Sequence, residues 1–521
     1  MLRRIMGLLQ YFKYKPKRHI HSDTSVLQYG DAIPTTLKEL ISKLKLIMNN
    51  DGDLVIRSFK LSAINCSEGI LVYINGLTDK KSIELNVLKP LMAEAQENKM
   101  KYLKNNRKVI DIIINEIIQS LNCSTENSLD KIIEKLLGGS TILFLQDEKT
   151  AIIIDAKKWD TRGVNEPDTE SVVRGPREGF NEDLITNITL IRRKVKSAKL
   201  KFEETKLGRF SKTRIVICYF EGIADKYIIN ELKGRLERIE IDAILESGYI
   251  EQFIEDHPLS PFPTVSNSEK PDVVVGKLLE GRVAVLCDGT PFVLLVPRVF
   301  IENLQVSEDY YTRPLYATIL RILRLLALFI TTTLPALYVA VQTFHHEIIP
   351  FRLFIAITAV REGIPMPTFF EALMMVIIFE LIKEAGLRMP KPVGQAVSIV
   401  GAIVLGQATV EAGIASPLMV IVIALTAITG FIVPPLDGTV FFLRICLLIA
   451  GSILGFYGII FALVVIFIHM CNMKSFGVEF LSPLAPISDG LKDTYIRPPL
   501  WSLLFDNTKF RALEDHNPTE E

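Results

Sequence analysis

The sequence predicts a two-part protein: a soluble α/β N-terminal region of two units, followed by an α-helical polytopic membrane domain. The first observation is the charge distribution. Only 15 of the 154 residues from Tyr316 to His469 are charged, about 10%, whereas the other 367 residues carry 103 charges, about 28%. The second is that short apolar runs alternate with amphipathic segments before residue 312. A purely soluble enzyme is therefore excluded.

Overall composition narrows the class further. Lys+Arg and Asp+Glu are both 59, so the formal net charge is zero. This balance does not favour a nucleic-acid partner, because such proteins are usually strongly basic. The six cysteines form no C-x-x-C pair, so neither a disulfide framework nor a zinc site is expected.

Residues 1–30 form a basic, irregular tail without the apolar core of a secretory signal. Two interpretations stay open: a solvated tail, or a weak contact with anionic lipid head groups.

The first cytoplasmic α/β unit is predicted over 31–156. Helical periodicity marks 36–48, 109–121 and 129–137. Strand-like apolar runs occupy 53–59, 70–77, 140–145 and 150–156, and Gly138-Gly139 ends the helix before the last pair.

The second cytoplasmic α/β unit is predicted over 157–312 and opens with a polar stretch. Its expected helices are a charged one at 182–206 and two near 225–240 and 247–255. Its expected strands lie at 213–220, 282–288 and 292–297. The two units show no obvious sequence repeat of each other.

The membrane domain is predicted over 313–472, with a cytoplasmic C-terminal tail over 473–521. About 20 apolar residues cross a bilayer, and four segments are long enough: 318–343, 393–411, 416–436 and 439–469. The Pro- and Glu-containing segment 350–384 is expected at the interface, re-entrant, or lining a protein-enclosed cavity. Basic residues flank both ends of the domain, which predicts that both ends face the cytoplasm.

Catalytic signatures are missing from the sequence. GRFSKT (208–213) lacks the spacing of a phosphate-binding loop. CDGTP (287–291) is best explained as a turn between two strands, and His345-His346 as an interfacial pair without a third metal ligand. We therefore expect no catalytic residue, cofactor or metal site.

The stretch 172–194 combines charges with Gly and Pro. Its candidates for subunit contact are Arg174, Arg177, Glu178 and Glu182. One interpretation is an ordinary helix start with acidic residues in the first turn; the other is an ion-pair network between subunits.

The apolar segment 393–413 carries both small and polar residues. Gly and Ala permit close helix packing. Gln407 and Glu411 are four residues apart and share a helix face, which indicates an aqueous pathway as the alternative to packing alone.

The sequence resembles the A subunits of spore germinant receptors, the GerA family of endospore-forming bacteria. The resemblance covers most of 53–501 in the expected order. Its most distinctive stretches are EPDTESVVRGPREGFNEDLITNITLIRRK, KPDVVVGKLLEGRVAVLCDGTPFVLLVP, REGIPMPTFFEALMM and PKPVGQAVSIVGAIVLGQATVEAGIASPLMV.

The resemblance implies a multi-pass protein of the inner spore membrane that assembles with a transporter-like B subunit and a lipoprotein C subunit. It implies a homo-oligomer, a pentamer, that acts as a nutrient-gated channel for monovalent cations. A paralogous branch assists dipicolinic-acid release instead, and outside the family a secondary transporter is the rival class. A membrane-anchored enzyme ranks third.

For a channel, the segment 393–413 supplies the pore candidates. Glu411 would concentrate cations at the pore mouth, with Gln407 one turn away on the same face. Ile403 or Val404 would form a narrow apolar gate.

Overall fold

The computed structural model describes residues 33–34, 36–48, 51–61, 68–92, 109–118, 122–157, 166–167, 170, 172–361, 363–388, 406–485 and 493–500. Contacts divide the chain into two units. The first contains both large β-sheets. The second, termed the helical half, contains the apolar helices together with 255–265 and 297–313.

The first α/β region is a five-stranded antiparallel sheet with strand order β1-β2-β4-β5-β3. Its strands are β1 (Leu54–Lys60), β2 (Glu68–Ile74), β3 (Cys123–Glu126), β4 (Thr141–Leu145) and β5 (Ala151–Ile154). Its helices are α1 (Leu37–Met48), the π-containing segments α2 (80–92) and α3 (109–117), and α4 (Leu129–Leu137). The predicted helices and strands of this region are thus present. The structure adds two elements that were not predicted, helix α2 and strand β3.

Both faces of this sheet are covered. Alternate residues of β2 and β4 point to opposite sides: Val72 and Ile142 join the core beneath α1 and α4, whereas Leu71 and Leu143 join the core beneath α2 and α3. A sheet buried on both faces explains why its central strands are almost uniformly apolar.

The second α/β region repeats this topology. Its sheet has the order β6-β7-β9-β10-β8, the same arrangement of first, second, fourth, fifth and third strands. The strands are β6 (Leu200–Leu207), β7 (Thr213–Phe220), β8 (Ser266–Ser268), β9 (Val283–Cys287) and β10 (Val293–Val296). The helices are α5 (Leu184–Lys194), α6 (Lys226–Glu237), α7 (Ser247–Ile254) and α8 (Pro271–Leu279). A helix before the first strand, two after the second and one after the third recur in both regions, so the repeat is structural although the sequences differ.

The predicted charged helix over 182–206 is wrong in its second half. The helix ends at Lys194, and 200–207 forms the edge strand β6. Charges alone suggested a helix, but these charges are paired across strands: Glu204 receives two hydrogen bonds from Arg214 of β7, at 2.7 and 3.1 Å. Cross-strand pairing of this kind cannot be recognised from the local pattern. Helix α8 and strand β8 were also not predicted.

Among the described residues after 313, the helical half contains six α-helices. They are α9 (Pro314–Thr343), α10 (Phe351–Arg361), α11 (Thr368–Arg388), α12 (Gly406–Glu411), α13 (Pro417–Gly430) and α14 (Asp437–Asn472). Helix α14 is sharply bent. A two-residue ribbon, β11 (Lys474–Ser475) with β12 (Val478–Glu479), follows. Among the described residues, the two segments Pro314–Thr343 and Pro434–Asn472 are long and apolar enough to cross a membrane.

The predicted single span 439–469 is instead a helical hairpin. Gly455 has φ 60° and ψ −137°, outside the helical region. A Cβ at Gly451 would lie 3.2 Å from Ile459, whereas residues eight apart in a straight helix are separated by about 12 Å. Leu443 and Met470 share one core cluster, so the arms 437–454 and 456–472 run antiparallel. Local hydropathy cannot reveal this reversal, because both arms are continuously apolar.

Candidate functional site

The predicted pore segment is described only at its C-terminal end. In α12, Gln407 Nε2 donates to Glu411 Oε1 at 2.9 Å, and both side chains are exposed on this protomer. Thr409 between them is buried. The two gate candidates, Ile403 and Val404, lie outside the described residues.

A fully buried carboxylate holds the next helix in place. Glu371 of α11 accepts hydrogen bonds through Oε1 from both the backbone N–H and the hydroxyl of Ser416, each at 2.7 Å. Ser416 is the N-cap of α13 and accepts from the N–H of Met419 at 3.2 Å. The Tyr338 hydroxyl lies 3.2 Å from the Ser416 hydroxyl. Glu371 therefore clamps α13 at its first turn.

The other oxygen of this carboxylate is less well satisfied. Glu371 Oε2 lies 3.7 Å from Arg361 Nη2 and has no hydrogen-bond partner within the described part of the chain. The backbone packs closely here as well: Gly413 has φ +65°, and a Cβ there would lie 3.2 Å from the Gly363 carbonyl oxygen. Gly363 and Glu371 thus support the connection between α12 and α13.

Glu371 belongs to the segment 350–384, whose placement the sequence left open. In the structure its carboxylate is enclosed by protein, and an ionisable side chain within an apolar stretch was the sequence signal for such a position. A second polar group lies toward the other end of α11, where Lys383 contacts both carboxylate oxygens of Asp437 at 2.9 Å.

The 172–194 stretch separates into internal and exposed charges. Glu178 lies 3.5 Å from both Arg193 and Lys194 at the end of α5. Arg174 is exposed, and Arg177 makes only a loose, largely exposed contact with Glu166 at 3.7 Å.

The helix itself starts at Asp183. Asp183 accepts from the backbone N–H and hydroxyl of Thr186 at 2.9 and 2.6 Å. The Glu182 side chain is exposed, while its carbonyl accepts from Gly289 at 2.9 Å. Three of the four subunit-contact candidates therefore present their charges to solvent in the single chain, and Glu178 forms ion pairs within the chain.

Arg192 is the one buried cation of this helix, and it was not among the predicted site residues. Arg192 donates to Asp53 from Nε at 2.9 Å and to Asp51 from Nη2 at 2.8 Å, with all three side chains buried. These contacts join the second α/β region to the first. Two carboxylates share one guanidinium, and burial raises the pKa of Asp51 to about 6 although Arg192 opposes this shift. The sequence did contain a signal for this burial: within LIRRK, Arg192 falls on the apolar face of the helix.

The remaining sequence motifs lie in connections between strands or in packing contacts. GRFSKT forms the connection between β6 and β7, with Gly208 at φ +90° and Lys212 at φ 47°. CDGTP is the turn between β9 and β10, and Asp288 Oδ1 accepts from the N–H of Leu184 at 3.4 Å. His345 stacks on Phe456 at 4.7 Å between ring centroids. No group of three His, Cys, Asp or Glu residues suited to a metal is found among the described residues.

Comparison with protein families decides the affiliation. The family model described as Bacillus/Clostridium GerA spore germination protein matches residues 42–507. The chain belongs to the GerA family.

Curated relatives match this chain over about nine tenths of its length. Spore germination protein KA of Bacillus subtilis (strain 168) is 43% identical over 473 residues, covering 90% of this chain and 86% of that protein. The uncharacterized membrane protein YfkQ of the same organism is 40% identical, covering 90% of each chain. Spore germination protein GerLA of Bacillus cereus is 38% identical, covering 92% and 96%. The predicted resemblance is confirmed: the chain is a member of the GerA family, and several of its curated relatives are spore germination proteins.

A solved structure is also similar. The N-terminal domain of the A subunit of the Bacillus megaterium spore germinant receptor GerK3 is 33% identical, covers 52% of this chain and 97% of that chain, and has a TM-score of 0.41. The family and the apolar helices together support membrane association of this GerA-family protein.

Proposed function

We propose that this chain is the A-type subunit of a nutrient germinant receptor in the inner spore membrane. In this proposal it assembles with a transporter-like B subunit and a lipoprotein C subunit, and it oligomerises as a pentamer into a gated channel for monovalent cations. The single observation that best supports conduction is the Gln407–Glu411 pair. A carboxylate and an amide are exposed on a helix of the apolar half, where exposure to lipid would be costly.

A pore axis lined by several copies gives these side chains a polar environment. A ring of Glu411 carboxylates attracts cations and raises their local concentration. The segment before it contributes the gate, at Ile403 or Val404, and the Glu371–Ser416 clamp fixes the position of the segment that follows.

Contacts within the helical half support an even number of crossings. The arm 437–454 runs parallel to α9: Arg444 donates to the Thr331 carbonyl at 3.0 Å, and a Cβ at Gly455 would lie 2.8 Å from His345. Helix α11 runs the opposite way, from Glu371 near Tyr338 to Lys383 beside Asp437. With 393–411 as a span, we propose six crossings, with the soluble N-terminal region and the tail 473–521 both cytoplasmic.

The experiment is potassium release from spores that carry variants at matched protein level. Val404→Ala should release potassium without nutrient, because a wider apolar gate favours the open state. Glu411→Lys should lower nutrient-triggered release about tenfold or more, since it replaces cation attraction with repulsion. Glu347→Lys, an exposed acid outside the proposed pore, is the matched control and should behave like the native chain. Native release from all three would refute the pore assignment.

A further inference from the structure

Two exposed surfaces of the second α/β region have complementary character. The first, here called the basic loop, contains Val173, Arg174 and Arg177. Val173 is 89% exposed, and both arginines extend into solvent. Glu178 fixes the end of this loop to Arg193 and Lys194, so the basic loop is held on the scaffold rather than free.

The second surface is a cleft of about 660 Å³, here called the acidic cleft. Its lining includes the carboxylates of Glu182, Asp183 and Asp288, together with the ammonium of Lys212. The Arg214 guanidinium, which also lines it, is already paired with Glu204 at 2.7 Å.

Exposed apolar side chains border this cleft. Leu245 lines it and is 67% exposed. Phe210 is 82% exposed and directly precedes Ser211, which lines the cleft. The loop that carries Phe210 is attached to the segment before Leu245, because the Phe210 N–H donates to the Asp242 carbonyl at 2.8 Å. An apolar rim around an acidic depression is suited to a partner that presents an apolar side chain between two cations.

The two surfaces lie toward opposite ends of helix α5. Asp183 caps its first turn, next to the acidic cleft, and Glu178 contacts its last turn, next to the basic loop. Eleven helical residues span about 16 Å. Opposite charges at opposite ends of one element suit contacts between successive copies, in which the head of one meets the tail of the next.

We infer that the basic loop of one protomer docks in the acidic cleft of a second copy of this chain, which makes a head-to-tail contact of the α/β regions. Arg174 and Arg177 pair with the carboxylates of Glu182 and Asp288, and Val173 packs on the rim formed by Phe210 and Leu245. This inference rests on the proposed oligomerisation and identifies the surfaces that would create it. A repeated head-to-tail contact closes into a ring when its rotation divides a full turn, whereas a two-fold contact stops at a dimer.

The test is cysteine crosslinking of the full-length chain in membranes. The background carries Cys471→Ser, because Cys471 is an exposed native cysteine. A chain with both Arg174→Cys and Glu182→Cys should give a ladder beyond the dimer with a short thiol-specific reagent, while either substitution alone should stop at or before the dimer. Replacing Glu182→Cys by Glu237→Cys, an exposed acid on α6, is the matched control and should abolish the ladder.

A charge-reversal series supplies the second readout. Arg174→Glu with Arg177→Glu should reduce the oligomer fraction of the otherwise native chain at least about tenfold, since like charges across an interface oppose docking. Lys196→Glu, at an exposed position outside the basic loop, should leave the fraction unchanged.

The outcomes are distinguishable. If a general amine crosslinker finds no oligomer of the native chain, the proposed oligomeric function fails. If that reagent finds oligomers but the double-cysteine chain gives no crosslink, or only dimers, the head-to-tail assignment is overturned and the proposed function survives.

Discussion

Arg192 shows at the scale of a residue how the two α/β regions are joined. Its guanidinium is completely buried, lies 4.6 Å from the centre of the Phe202 ring and donates to Asp51 and Asp53. Removing one partner from a buried ion pair leaves an uncompensated charge. The cluster is therefore expected to set the stability of this part of the chain.

We predict that Arg192→Met destabilises the α/β unit by about 3–5 kcal/mol, because two buried carboxylates lose their cation. The measurement is urea-dependent proteolysis of the full chain in detergent. Lys196→Met, at an exposed position, should change stability by less than about 0.5 kcal/mol. Equal midpoints for both variants would contradict the prediction.

Asp51 predicts a specific pH response. Its folded pKa of about 6 lies above the ordinary value of 3.8, so the folded chain holds this proton more tightly than the unfolded chain. The stabilisation from this group is present below about pH 4 and is lost as the pH rises through 6, by up to about 3 kcal/mol. Asp51→Asn should remove this part of the pH dependence, measured by unfolding between pH 4 and 7. An unchanged slope would argue against a raised pKa; Asp242→Asn, at an exposed site, should keep the native slope.

At the scale of an element, Gly455 allows α14 to reverse its direction. The reversal between the two arms requires a positive φ, and the site is crowded: a Cβ would lie 2.8 Å from His345 Nε2 and 3.0 Å from the Phe344 Cβ. Only glycine combines this backbone with this close approach.

We predict that Gly455→Ala disrupts the hairpin and strongly lowers the amount of protease-resistant protein in membranes. Gly438→Ala is the control, because a Cβ there meets nothing within 4 Å and the residue lies inside a helix. The measurement is the resistant fraction at equal synthesis. Equal resistance of both variants would show that the turn tolerates a side chain.

The hydrogen bonds from Ser416 to Glu371 hold a second element, α13, at its first turn. Glu371→Leu should leave the buried Ser416 N–H without its acceptor, at a cost of about 1–3 kcal/mol, and release the start of α13. Glu371→Gln keeps an acceptor oxygen and should be the milder change. The measurement is the nutrient dependence of potassium release together with the thermal stability of each variant. The positioning role would be refuted if the two variants had equal, native-like values.

At the scale of the whole molecule, the hairpin changes the count of crossings. A straight helix over 439–469 would put the tail after residue 473 on the opposite side from the position that we propose. A reporter enzyme that is active only outside the cell should be inactive when it is fused after residue 310 or after residue 505. A cysteine at Tyr457, which is 77% exposed beside the turn, should react with an impermeant thiol reagent from outside in a Cys471→Ser background. An externally active reporter at residue 505 would exclude the hairpin topology.

The order of elements was largely predictable from the sequence. Apolar runs and amphipathic segments identified seven of the strands and most helices of the α/β region, because period and composition are local properties. The two short strands β3 and β8 and the charged edge strand β6 were missed, since they depend on a neighbouring strand for their hydrogen bonds. The exposure of Arg174, Arg177 and Glu182, and the engagement of Glu178, likewise required the folded chain.

The sequence by itself determined the division into a charged α/β region and an apolar helical half, and it determined the GerA affiliation through its motifs. Only the tertiary structure decided that the two α/β regions share one topology, that Arg192 joins them, and that α14 turns back at Gly455. It also decided that Glu371 is buried and accepts a hydrogen bond from Ser416, the N-cap of α13. The physical reason is that burial, ion pairing and chain reversal depend on residues tens to more than a hundred positions apart, whose pairing leaves no period in the local sequence.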